Sequence, residues 1–250
     1  MTGSRDGITE VAEGVTMITR AVTNCYLVDS DDGTILIDAG LPRSWSLVRE
    51  ALRRRRLAPE DLTAVYLTHG HFDHVGLAER LKKDHLVPIR VHAADVPLVR
   101  HPYRYDREAP RSLYPLAHPG GLPSLARMTA AGALRVHGVD AHGDIVPGQR
   151  LRGGLIPVAT PGHTYGHVAF HLPDRRIVFS GDALVTFDPY TGRAGPQIVA
   201  RAATADSSEA LAALPALAAT DADLVLPGHG AAWSRGIHLA VAQALATGAH

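Results

Sequence analysis

Leu67-Thr68-His69-Gly70-His71-Phe72-Asp73-His74-Val75-Gly76 is the stretch on which the reading of this chain turns. Four of the six residues from His69 to His74 are good metal ligands, three imidazoles and a carboxylate. The apolar run Ala64-Val65-Tyr66-Leu67 before them reads as a buried strand. Val75, Leu77, Ala78 and Leu81 after them are spaced for one face of a helix. The ligand types therefore fall on the turn between a strand end and a helix start. There a rigid scaffold holds them while the backbone bends to converge them. Imidazole nitrogen and carboxylate oxygen suit zinc, with manganese and iron as alternatives. A polar loop that is merely rich in histidine is the competing reading, since the chain carries 15 His in 250 residues. The H-x-H-x-D-H order argues against it.

Composition narrows the classes. With 46% hydrophobic residues the chain can bury a substantial core, and its length suits one large domain or two small ones. Formal net charge is zero, so no general field attracts nucleic acid or an anionic membrane. The one basic cluster, Arg53 to Arg56, sits at the end of an expected helix, where cations complement the dipole. A single cysteine, Cys25, excludes an internal disulfide framework and a cysteine-rich metal site. Residues 1–7 contain no apolar signal-type segment, and no window reaches the length of a membrane span. The expectation is a soluble cytoplasmic protein.

Outward from the central stretch, strands and helices alternate. Val15 to Ile18 and Cys25 to Val28 read as strands, and Thr34 to Ile37 returns through the turn Ser30-Asp31-Asp32-Gly33. Ser44 is the expected N-cap of a helix carrying Leu47, Val48, Ala51 and Leu52 on one side. Val87 to Val91 reads as a strand and Ala93 to Val99 as a short helical piece. From Arg100 to about Arg127 the period is lost in a stretch rich in Pro, Gly and aromatics. Such segments are usually functional loops, and its Tyr and Leu content argues against disorder. Strands resume at Leu155 to Ala159, Val168 to Leu172, Ile177 to Phe179 and Leu224 to Leu226. Asp206 and Glu209 open a helix that Pro215 should kink or end, and Ile237 to Leu245 forms a closing helix. No linker composition divides the chain, so one domain spanning 1–250 is expected, with a lid or insert at about 100–127.

Three later strand ends carry ligand types as well: Pro161-Gly162-His163, Ser180-Gly181-Asp182 and Pro227-Gly228-His229. Singly each is weak, because Gly-Asp after a strand is more often a plain turn. Together they repeat one design. In these motifs, from about Asp38 to His229, the chain resembles the metallo-β-lactamase-fold superfamily, in its glyoxalase II and lactonase-like branch. The resemblance implies an α/β fold, a four-layer αβ/βα sandwich with metals at one edge between the sheets. It implies that His69, His71 and His163 hold one ion, that Asp73, His74 and His229 hold a second, and that Asp182 bridges. Asp38 would support the site without being a ligand, and His167, in the string His163-Thr164-Tyr165-Gly166-His167, would support its turn. Two divalent ions, zinc first, would then share a hydroxide that attacks a carbonyl, with Asp73 taking up a proton as the intermediate breaks down.

Departures from the relatives bear on the reaction. True β-lactamases of this fold lack the bridging Asp, so Asp182 argues against that activity. Only 21 residues follow His229, too few for the glutathione-gripping helical domain of glyoxalase II. The quorum-signal lactonases place a Tyr three residues after the bridging Asp, where this chain has Val185. The expectation that survives is a dinuclear hydrolase of a small ester, thioester or lactone. Its partner is a small-molecule substrate rather than nucleic acid or membrane, and a homodimer is compatible. The alternative is a mononuclear iron enzyme resembling persulfide dioxygenases, and retention of all seven ligands favours the hydrolase. The segment 100–127 is expected to fold over the metal edge, with Tyr103, Tyr105 or His118 replacing the oxyanion donor missing at Val185. A surface excursion or a dimer contact is its competing role.

Overall fold

The computed structural model describes residues 5–110 and 114–250. Seven strands form the first sheet in chain order: Gly7–Ala12 (β1), Val15–Arg20 (β2), Thr23–Ser30 (β3), Gly33–Ile37 (β4), Leu62–Tyr66 (β5), Ile89–His92 (β6) and His142–Ile145 (β7). The first four pair antiparallel as hairpins, and β4 through β7 pair parallel. A second sheet uses Ile156–Ala159 (β8), Val168–Leu172 (β9), Ile177–Gly181 (β10) and Leu224–Pro227 (β13), in the order β13-β10-β9-β8. Val185–Phe187 (β11) and Ala194–Gln197 (β12) form a separate two-stranded ribbon.

Period-two alternation in these strands builds the layers. In β3, β4 and β5, Leu27, Leu36 and Val65 face one way and pack under helix Trp45–Arg54 (α1) and helix Ala78–His85 (α2), against Val48, Leu52 and Leu81. Tyr26, Ile35, Ile37 and Tyr66 face the other way and meet Val168, Phe170, Phe179 and Leu226 of the second sheet. Tyr26 meets Phe179 edge-on at 5.2 Å between centroids, a favoured aromatic geometry. Ala169, Val178 and Val225, on the outer face of that sheet, are covered by helix Ser207–Ala218 (α6) and helix Ile237–Thr247 (α7). The result is the expected order of helix, sheet, sheet, helix. Among the described residues no helix is long and apolar enough to cross a membrane.

Several local expectations need correction. Ser44 precedes α1, but its side chain makes no cap; its hydroxyl instead accepts from the Leu41 N–H. Helix α6 runs three residues beyond Pro215 to Ala218, while Asp206 does cap it by accepting from the Glu209 N–H at 2.9 Å. Strand β1 and the β11–β12 ribbon were not anticipated. Segment 100–127 is less irregular than its sequence suggests. Helix Val96–Arg100 (α3) leads into it, a single turn at Tyr114–Ala117 (α4) interrupts it, and helix Leu122–Ala130 (α5) closes it. Pro123 is tolerated in α5 because it occupies the first turn, where no intrahelical N–H bond is lost. Leu113, one of the apolar residues of this segment, lies outside the described residues.

The two sheets are sutured at the edge where the ligand motifs lie. Asn24 on β3 donates its side-chain amide to the carbonyls of Pro227 and Gly230, at 2.9 and 2.8 Å, and its backbone N–H to that of Gly228. The Val168 N–H donates across to the Thr68 carbonyl at 3.0 Å. Asn24→Ala would remove the side-chain donor of the buried Gly230 carbonyl and leave the Pro227 carbonyl with the Tyr26 hydroxyl alone. It is expected to lower stability by about 2–3 kcal/mol in urea unfolding. An unchanged midpoint would show that the suture contributes nothing.

Candidate metal centre

All seven residues named from the sequence converge at this edge, from the turns that follow β5, β8, β10 and β13. Three groups have ligand atoms within 4.8 Å of one another: His69, His71 and His163; His69, His74 and Asp182; Asp73, His74 and His229. Asp182 stands between the two imidazole sets. Its Oδ1 lies 3.4 Å from His74 Nε2, and its Oδ2 lies 3.4 Å from His163 Nε2 and 3.2 Å from His229 Nε2. Asp73 Oδ2 is 3.3 Å from His229 Nε2, and His71 Nδ1 is 2.9 Å from His163 Nε2.

Hydrogen bonds behind the rings fix which nitrogen faces inward. The Thr68 hydroxyl donates to the Asp38 carboxylate at 2.9 Å, so it must accept from His69 Nδ1–H at 3.0 Å. His74 Nδ1–H donates to Asp38 Oδ2 at 2.9 Å. The Thr204 hydroxyl donates to the Val199 carbonyl and accepts from His163 Nδ1–H. His229 Nδ1–H donates to the Val22 carbonyl at 3.1 Å. Four Nε2 atoms are thereby directed at the centre. Asp38 alone supports two of these rings, one through Thr68 and one directly, and holds a left-handed φ of +56° to do so.

The donor set fits divalent cations. Among the described residues His69 Nε2 is buried without a hydrogen bond, and His74 Nε2 and Asp182 Oδ1 face each other at 3.4 Å, beyond good hydrogen-bond length, a costly arrangement unless a further group satisfies them. Electrostatics agree. Burial pushes His69 well below the usual imidazole range and His163 down to about 4, leaving neutral ligand nitrogens. Burial works against His74 and His229 too, but the surrounding carboxylates together outweigh it, Asp182, Asp38 and Asp73 raising His74 well above the usual range and Asp182 and Asp73 raising His229 to about 10. Burial would raise the Asp182 carboxyl, yet His229 and His74 hold it well below the carboxylate range. Two carboxylates thus demand positive charge from their surroundings, which protons or metal ions can supply.

Two glycines make the convergence possible. A Cβ at Gly228 would lie 2.1 Å from Asp182 Oδ1, and Gly181 takes a left-handed φ of +52° with His167 against it. His167 plays the supporting role expected of it. Burial pushes it down to about 3, and its neutral Nε2 accepts from the Asp182 N–H at 3.0 Å while Nδ1–H donates to Thr160 Oγ1 at 2.8 Å.

One residue escaped the sequence reading. Asp95, between β6 and α3, is 2% exposed and ties the two loops carrying His69, His71 and His163 together. It accepts from the Gly70 N–H and the Thr164 hydroxyl at 2.8 Å each, and from the Gly166 N–H at 2.9 Å. Nothing in Ala93-Ala94-Asp95-Val96 signals this, because the partners lie 25 to 71 residues away. Of the residues considered for the oxyanion role, Tyr105 packs its ring 3.9 Å from that of His71 and brings its hydroxyl to 3.2 Å from that of Tyr190. Tyr103 is engaged elsewhere, donating to the Ala133 carbonyl and accepting from the Val136 N–H. His118 stacks on Tyr114.

The family model described as metallo-beta-lactamase superfamily matches residues 18–229. The chain belongs to that superfamily. It is 30% identical over 190 residues to the probable metallo-hydrolase YflN of Bacillus subtilis strain 168, covering 72% of this chain and 67% of that one. An N-acyl homoserine lactonase of a Bacillus species is 26% identical over 187 residues, 66% of this chain and 62% of the relative. The solved structure of TTHA1623 in a di-iron-bound form superposes with a TM-score of 0.62 at 28% identity, covering 89% of this chain and 95% of the other. The metallo-β-lactamase fold and its His/Asp cluster therefore coincide in this chain.

The supports rank by what they hold. Asp182→Ala is expected to lower the amount of divalent metal bound, whereas His167→Ala keeps the full amount and loses roughly 10–100-fold in affinity. Asp95→Ala should fall between them, because it loosens the loops that carry His69, His71 and His163. Competitive chelator titration reads all three. Full metal retention by Asp182→Ala alongside loss in His167→Ala would reverse the ranking.

Proposed function

We propose that this protein is a dinuclear metal-dependent hydrolase of a small ester, thioester or lactone. The carrying observation is Asp182, placed between two imidazole sets with one buried oxygen facing His74 at 3.4 Å, beyond good hydrogen-bond length. On this reading His69, His71 and His163 hold one ion, and Asp73, His74 and His229 the other, with Asp182 shared. Bound there, divalent cations supply Lewis acidity, acidifying water toward neutrality and polarising a carbonyl. Zinc suits the N/O donor set, and the di-iron form of TTHA1623 keeps iron within the test. The likeness to a lactonase supports carbonyl chemistry.

The chain's own residues then do three things. Asp73 is buried, and although burial opposes it, His74 and His229 together hold its carboxyl below the usual carboxylate range. It is the base at hand to take up the proton that the attacking water loses and to pass it to the departing oxygen or sulfur. Tyr105, packed on His71, replaces the donor missing at Val185 and steadies the developing oxyanion. The described parts of the segment, residues 100–110 and 114–127, act as a lid on the metal edge. Glu108 anchors its first half, accepting from the Ser207 N–H and hydroxyl at 2.8 Å each. A cavity of about 290 Å³ opens between this lid and His163, with His101, Arg104 and Tyr165 at its rim. Ala94, Pro97, Leu98 and Tyr105 make its lining largely apolar, with a few polar groups placed in it, as a site for a small substrate needs.

Protein loaded with zinc, manganese or iron is expected to hold two ions per chain and to hydrolyse members of a panel of lactones, thioesters and aryl esters. Saturation at one ion, with iron as the sole active metal, would favour the dioxygenase-like alternative. Tyr105→Phe should lower kcat by about 10²-fold while leaving metal content unchanged. An unchanged kcat would remove Tyr105 from the mechanism.

A further inference from the structure

Strand β2 passes into β3 through two residues, Ala21 and Val22, since the ladder closes on Arg20 opposite Thr23. Both take left-handed backbone, with φ of +51° and +67°. Positive φ at both positions of a two-residue hairpin marks the type I′ turn, which favours Asn-Gly. Alanine has no polar side chain to support that conformation, and a β-branched residue in it is a genuine outlier. Such strain persists only where the surroundings over-determine it, and it gathers at functional sites.

The carbonyl of the strained Val22 accepts from His229 Nδ1–H at 3.1 Å. The rings of His69, His74 and His163 are backed by side chains, those of Thr68, Asp38 and Thr204. His229 is backed by main chain, so the direction of its ring follows the backbone of this turn. Two features hold the turn from the side of the lid. Asp6 accepts from the Ala21 N–H at 2.8 Å and, with the same Oδ1, from Arg127 of α5 at 2.6 Å. Ala21 and Val22 are also buried in one apolar cluster with Leu41, with Met128 of α5, and with Ala131 just past its end. A continuous line of contacts therefore runs from α5 through the turn to His229.

We infer that the Ala21–Val22 turn is the positioning element for His229, and that α5, by holding the turn left-handed, couples its own docking to the metal site that His229 serves. This rests on His229 being a metal ligand, as proposed above, and not on the substrate. Coupling of this kind is reciprocal. Whatever loosens α5 weakens the ion at His229, and that ion in turn tightens α5. A turn that is left-handed by its own preference would break the dependence.

The test is competitive chelator titration of the zinc-loaded protein. The zinc equivalent lost in His229→Ala identifies the site. Asp6→Ala and Met128→Ala loosen α5 from the turn, and neither residue is a ligand. Each should weaken that equivalent about tenfold, the lower end of what losing a ligand's support costs, and leave the other equivalent unchanged. The pair Ala21→Asn and Val22→Gly keeps the turn type and its carbonyl without help from α5. In that background Asp6→Ala should shift the affinity by less than about twofold, as for uncoupled sites. An equal effect of Asp6→Ala in both backgrounds overturns the proposal, and so does an affinity unchanged by both Asp6→Ala and Met128→Ala. In the latter case a zinc equivalent still lost in His229→Ala leaves the metal reading standing and defeats the coupling alone. Retention of every zinc equivalent by His229→Ala defeats the ligand assignment itself.

Discussion

Four buried carboxylates at one sheet edge set the terms for this molecule, because an ion taken out of water must be answered by charge or hydrogen bonds. Asp38 and Asp95 are answered within the chain. Asp38 meets Thr68 and His74, and Asp95 meets two backbone N–H groups and the Thr164 hydroxyl. Asp73 and Asp182 are not answered in this way: they face imidazoles, and Asp182 Oδ1 faces His74 at 3.4 Å, beyond good hydrogen-bond length. That contrast sets Asp38 and Asp95, satisfied as supports, apart from Asp73 and Asp182, the carboxylates the proposed metal centre would use.

Holding such a cluster in place requires more than the strands that end there. Seven ligands come from four turns on two sheets, so a slip of one sheet against the other would scatter them. Asn24, the Val168 to Thr68 bond and Asp95 each tie a ligand loop to another element across the edge. Together with the aromatic contacts between the sheets, they make the centre rigid before any ion arrives, the kind of preorganisation that electrostatic catalysis needs.

The central motif was legible because its ligands are neighbours in sequence, and the four layers were legible because apolar strands of period two alternate with helical faces. The relation of His163, Asp182 and His229 to that motif was legible only through the repeated strand-end design and the family resemblance. What stayed hidden has physical reasons. Strand β1 is half exposed and carries no continuous apolar run. Strands β11 and β12 span three and four residues, too short to show a period. Helix α5 was masked by Gly120, Gly121 and Pro123, which read as breakers although they precede the helix or sit in its first turn. Asp95 and Asn24 act through partners far along the chain, and no local pattern announces such contacts.

The most direct test is anomalous X-ray diffraction from crystals of the zinc-loaded protein, recorded on both sides of the zinc absorption edge. The account predicts two anomalous peaks per chain, one coordinated by His69, His71 and His163 and the other by Asp73, His74 and His229, with an Asp182 carboxylate oxygen on both. A single peak, or two peaks without Asp182 between them, would contradict it.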